Sequence, residues 1–121
     1  LLMTPRYEKH IFVCIKDRPE GHPRGCCLEK GSMDIRNRFV QLINQHGLKG
    51  KVRANKSGCL DVCEMGINLV IYPDNLWYTG VTDSDVDEIF EKSVLNDDIV
   101  DRLAATEETW ATCQKIRNNE L

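Results

Sequence analysis

Four cysteines carry the chemistry that the sequence makes available. Twelve residues separate Cys14 from Cys27, and three separate Cys59 from Cys63. They lie at the end of an apolar segment (Phe12-Val13-Cys14) or beside glycines (Gly25-Cys26-Cys27 and Gly58-Cys59). Four thiolates can bind a soft metal ion or an iron–sulfur cluster. Two separate segments, each giving two ligands, would close round one site. Structural zinc is the first rival, but it usually takes two pairs spaced by two to four residues, and only Cys59/Cys63 meets that rule. A disulfide pair is the second. A redox dithiol would want Cys-x-x-Cys at a helix start, and none occurs. Inert buried thiols are the plain alternative, which fits Cys113 best. His22 is a candidate outer donor, since a Rieske-type centre needs two histidines on one iron. His10 and His46 read as packing or surface residues.

The elements that must position these residues follow from the pattern of the chain. His10 to Ile15 is a short apolar run rich in β-formers and reads as a buried strand. Lys16 to Gly31, with Pro19 and Pro23 and three glycines, is a long loop of the kind that is usually functional. Ile35, Phe39, Leu42, Ile43 and His46 share one helical face and predict a helix over 33–46, capped by Ser32 or Asp34 and ended by Gly47. Lys51–Lys56 is a polar strand near a sheet edge. Asn68–Tyr72 and Leu76–Val81 are strands joined by Pro73-Asp74-Asn75 as a hairpin. Val86, Ile89, Phe90 and Val94 predict a helix over 83–94, capped at Thr82 or Asp83. For residues 97–121 a helix and a frayed tail both stay open. The hairpin aromatics Trp77 and Tyr78 read as packing residues ahead of a stacking platform.

The order β–loop–α–β–loop–β–β–α gives an α/β sandwich. A right-handed crossover makes the first two strands parallel. This is the thioredoxin arrangement: a central mixed four-stranded sheet with flanking helices.

With 121 residues, the chain has room for a single modest core. No apolar run approaches the roughly 20 residues of a membrane span, and Leu1-Leu2-Met3 is too short for a signal-peptide core. A cytoplasmic protein is expected, in which six cysteines argue for metal or redox chemistry over disulfides. Residues 97–121 hold three bases and six acids and supply the whole net charge of −3. Nothing in this balance suggests nucleic-acid binding.

Several motifs, in order and spacing, resemble the thioredoxin-like 2Fe-2S ferredoxin family. They are His10 to Cys14, Arg18-Pro19-Glu20-Gly21-His22-Pro23-Arg24-Gly25-Cys26-Cys27, Gly58 to Gly66, Val70 to Tyr78 and Asp85-Val86-Asp87-Glu88-Ile89. The resemblance implies a thioredoxin-like ferredoxin domain over residues 1–103. Residues 104–121 lie beyond it as a helical or flexible extension. It also implies one 2Fe-2S cluster per chain, a one-electron carrier with no catalytic residues, redox partner proteins (a reductase and an acceptor), and a homodimer. Carried over by position, the ligands are Cys14, Cys27, Cys59 and Cys63. Cys26 stands where a small residue is common. Asp61-Val62 replaces a smaller stretch, often glycine-containing, between the third and fourth ligands. The other readings are an electron-transfer subunit of a larger oxidoreductase, as in the related peripheral subunit of respiratory complex I, and a zinc-stabilised binding module. Two docking faces of opposite sign compete. Asp97, Asp98 and Asp101 with the cluster charge are favoured over the basic strand of Lys49, Lys51, Arg53 and Lys56.

Overall fold

The computed structural model describes residues 6–15, 31–58 and 66–118. Strand β1 (Lys9–Cys14) alternates by face. Ile11 and Val13 are fully buried in the main core, while His10 and Phe12 are half-buried on the opposite face. Helix α1 (Ser32–Gln45) buries Ile35, Phe39, Leu42 and Ile43, the stripe its periodicity predicts. Full burial of a side chain such as Phe39 contributes about 1.5–3 kcal/mol.

The start of α1 differs from expectation. Neither Ser32 nor Asp34 is the cap; Gly31 is, at φ 98°, with no side-chain cap bond. That left-handed turn suits a residue without Cβ, and it moves Ser32 into the helix, where it is buried. The other end closes as expected near Gly47, at φ 66°, whose N–H donates to the Asn44 carbonyl at 3.2 Å.

Strand β2 (Val52–Ser57) pairs parallel with β1, with Lys9 opposite Val52 and Cys14 opposite Ser57. Strand β3 (Leu69–Tyr72) runs antiparallel to β1, and β4 (Leu76–Tyr78) completes the hairpin. The sheet order is β2-β1-β3-β4, so β2 and β4 are its edges. The segment predicted as one helix over 83–94 has three parts. A 3-10 turn at Asp83–Asp85 leads into α2 (Val86–Ile89), which widens into a π-helical stretch at Phe90–Leu95. The Thr82 N–H donates to Asp85 Oδ2 at 2.8 Å, an anchor at the expected cap.

The main core lies between α1, the 83–95 helical segment and one sheet face, and Val100 and Leu103 enter it from the following segment. On the opposite face, Trp110 of α3 (Glu107–Arg117) meets Trp77 edge to face, with centroids 5.7 Å apart. Val70 pairs with Trp77 and shares this face. Residues 103–105 run beside β4: Thr79 N–H donates to the Leu103 carbonyl at 3.1 Å, and Ala105 N–H to the Trp77 carbonyl at 2.8 Å.

Candidate metal centre

Cys14 ends β1 and is fully buried. Its N–H donates to the Asn68 carbonyl at 3.2 Å, and the next residue, Ile15, donates to the Ser57 carbonyl at 3.0 Å. The thiol is therefore held between the end of β2 and the start of β3. Cys27, Cys59 and Cys63 lie outside the described residues, as do Cys26 and His22.

The chain on either side of those cysteines is described, and its direction is informative. Parallel pairing puts the C-terminal ends of β1 and β2 side by side, and Val13 opposite Leu69 brings the start of β3 to the same end. The Leu48 carbonyl, just past α1, receives the N–H of Val52 at the start of β2. The N-terminus of α1 therefore faces the Cys14 end. Ile15 and Gly31 flank the segment that holds Cys27. Gly58 and Gly66 flank the one that holds Cys59 and Cys63.

The flanks are shaped for close approach. Gly66 sits at φ 88°, and a Cβ there would lie 3.2 Å from the Gly80 Cα. The Asn68 amide donates to the Gly66 carbonyl at 3.2 Å, and Val81 N–H to the Ile67 carbonyl at 3.0 Å, which fixes the return into β3. Ser32 Oγ is buried and has no hydrogen-bond partner among the described residues. A buried hydroxyl without an acceptor is costly, and thiolate or sulfide sulfur would satisfy it. These features fit an iron–sulfur group. Among the described residues no group of three or more His, Cys, Asp or Glu side chains could hold a metal ion.

Other singled-out residues serve packing. Tyr78 is fully buried, and His10 lies 4.1 Å from the Phe12 ring. His46 Nδ1 approaches the Leu42 carbonyl at 2.9 Å. Cys113 is buried on α3. Asp97 is held by the Lys9 ammonium at 2.6 Å, and Asp74 shares that lysine at the same distance. Burial alone would lower the Lys9 pKa; the two carboxylates outweigh it and hold the ammonium above the usual lysine range. Asp85 has the mirror arrangement. Burial pushes its carboxyl up, but hydrogen bonds from Thr82 and Arg102 bring it below the usual range. Arg6 and Arg36 share a groove with Lys49 and Arg53, and nothing in their sequence spacing announces it.

Comparison with known proteins agrees with this architecture. No family model matches the chain. It is 42% identical over 96 residues to a 2Fe-2S ferredoxin of Aquifex aeolicus, covering 78% of this chain and 86% of that one. It is 36% identical over 102 residues to a 2Fe-2S ferredoxin of Clostridium pasteurianum, covering 84% and 98%. A crystal structure of the wild-type thioredoxin-like [2Fe-2S] ferredoxin from Aquifex aeolicus superposes with a TM-score of 0.78 at 39% identity, covering 84% of this chain and 99% of that one. The fold is thus thioredoxin-like, with its mixed sheet and flanking helices. The chain belongs to the thioredoxin-like 2Fe-2S ferredoxins, a family of iron–sulfur electron carriers.

Proposed function

We propose that the protein binds one 2Fe-2S cluster per chain through Cys14, Cys27, Cys59 and Cys63 and passes single electrons between a reductase and an acceptor protein. The observation that carries this is the buried Cys14, set where the flanks of both other cysteine segments meet at one end of the sheet. When bound, the cluster supplies reversible one-electron chemistry. The chain's own residues do the rest. The β1 backbone fixes Cys14 through its bond to Asn68 and so limits rearrangement at the sulfur. Ser32 Oγ supplies a buried donor that would favour added negative charge. No substrate is transformed, and no catalytic residue is required.

In this reading residues 1–103 form the ferredoxin domain and 104–121 an extension. The protein works in the cytoplasm as a homodimer, the commonest closed assembly. Visible absorption and electron paramagnetic resonance of the reduced protein test the cluster directly. Brown protein with a reduced-state signal is expected, whereas a colourless zinc protein would overturn the proposal. Replacing Cys14, Cys27, Cys59 or Cys63 by alanine should abolish the cluster or leave it labile, while Cys26→Ala and Cys113→Ala keep it. A normal spectrum in Cys27→Ala beside a colourless Cys26→Ala would reassign the second ligand.

A further inference from the structure

Between α1 and the β2 edge lies a groove of about 390 Å³. Three separate parts of the fold bring cations to it: Arg6 ahead of β1, Arg36 in α1, and Lys49 before β2, with Arg53 of β2 at its rim, where Arg53 Nε donates to Asn55 Oδ1 on the His10 side of the sheet. Among the described residues no carboxylate lines it. None of the four cations has an ion-pair partner among the described residues. The apolar side of the groove includes Val40, Val52 and Ala54. Arg36 Nε donates to the Ala54 carbonyl at 3.2 Å, which orients the guanidinium over the strand edge.

A charged edge strand opposes aggregation, and that role needs only the strand's own lysines. It does not account for Arg6 and Arg36, which arrive from other elements. The acidic face offers the contrast: Asp97 is committed to Lys9, and Asp98 Oδ1 accepts the Ile99 N–H at 2.8 Å. What sets β2 apart is convergence: cations from three parts of the fold gather there with no ion-pair partner among the described residues. From Arg53 the strand runs four residues to Ser57 beside Cys14, about 13 Å at strand rise. A partner seated here lies along the path to the Cys14 end.

We propose that this groove receives an acidic segment of the redox partner, with carboxylates on the four cations and an aliphatic side chain against Val40 and Ala54. The proposal takes its partner from the electron-carrier reading and deepens it. It reverses the preference for the 97–101 face.

The test uses isotope-labelled holoprotein and a synthetic peptide of alternating glutamate and leucine, with its glutamine counterpart and inorganic pyrophosphate as controls. The glutamate peptide should shift amide signals around 36–44 and 49–54. The glutamine peptide should not. Lys49→Glu with Arg53→Glu should weaken binding more than roughly tenfold without altering the visible spectrum. About 1 M salt, where screening acts within about 3 Å, should do the same. Lys49→Gln with Arg53→Gln should give a smaller loss and guards against a misfolded reversal variant. Shifts centred on 97–101, an unchanged affinity in both double variants, or pyrophosphate binding more tightly than the peptide would each overturn the proposal. A colourless protein that still binds the peptide in the groove would uphold the acidic-segment site and overturn the redox identity of its partner.

Discussion

The two edges of the sheet are protected in opposite ways. β4 is covered: residues 103–105 bond to it, Tyr78 pairs with Ala104, and Trp110 of α3 rests on Trp77. β2 has no strand beyond it among the described residues and is flanked by cations. Both solutions stop another chain from adding to the sheet. They differ in what else they allow. A covered edge contributes to stability and leaves its backbone groups engaged. A charged edge contributes little to stability and keeps a surface open to a partner of opposite sign.

The largest expected effect lies on the covered side. Tyr78 is fully buried, its hydroxyl lies 2.6 Å from Ser93 Oγ, and it accepts the Val100 N–H at 2.9 Å. Tyr78→Ala should cost about 3–5 kcal/mol, read by denaturant unfolding. Tyr78→Phe should cost about 1–3 kcal/mol by orphaning the buried donor. A Tyr78→Ala cost below 1 kcal/mol, on the order of a surface change, would show that the cover is ornamental to the fold.

Smaller, pH-dependent effects come next. The folded Lys9 pKa lies above its unfolded value, so its contribution is complete below about pH 10.4 and fades as pH rises through the folded value. The folded Asp85 pKa lies below its unfolded value. Its contribution is present above about pH 3.9 and is lost as pH falls through the folded value. Lys9→Met should flatten the alkaline limb of the stability profile, and Asp85→Asn the acid limb. Alkaline limbs of equal slope in Lys9→Met and the parent chain would dismiss the Lys9 pairings.

The smallest stability effect belongs to the open edge. Lys51→Gln with Lys56→Gln should change unfolding free energy by no more than about 0.5 kcal/mol per site, yet raise self-association in light scattering. An unfolding loss comparable to that of Tyr78→Phe would erase the distinction between the edges.

The order of elements was legible because each buried face repeats at a helical or strand period, as Ile35/Phe39/Leu42 and Ile11/Val13 do. The cap at α1 was not, since Ser32 and Asp34 resemble caps while the backbone turns at Gly31. The widening at Phe90–Leu95 was also hidden, because Phe90 and Val94 satisfy an α-helical spacing as well. Thiolate chemistry is written in residue type, so the candidate ligands stood out. The Lys9–Asp74 pair spans 65 positions, and only tertiary folding reveals it. The same holds for Arg6 and Arg36 joining the basic strand.

The clamp around Cys14 also sets how this chain can vary. The ladder closes through Cys14 to Asn68 and Ile15 to Ser57 before either neighbouring cysteine segment begins. In chain entropy, lengthening a connection between fixed ends is cheap, about 0.6 kcal/mol for each doubling. Shifting the strand by one position is not, because Val13 and Cys14 point to opposite faces and a slip would exchange them. Insertions and deletions in related chains can therefore gather between Ile15 and Gly31, while the count of residues along β1 stays constant.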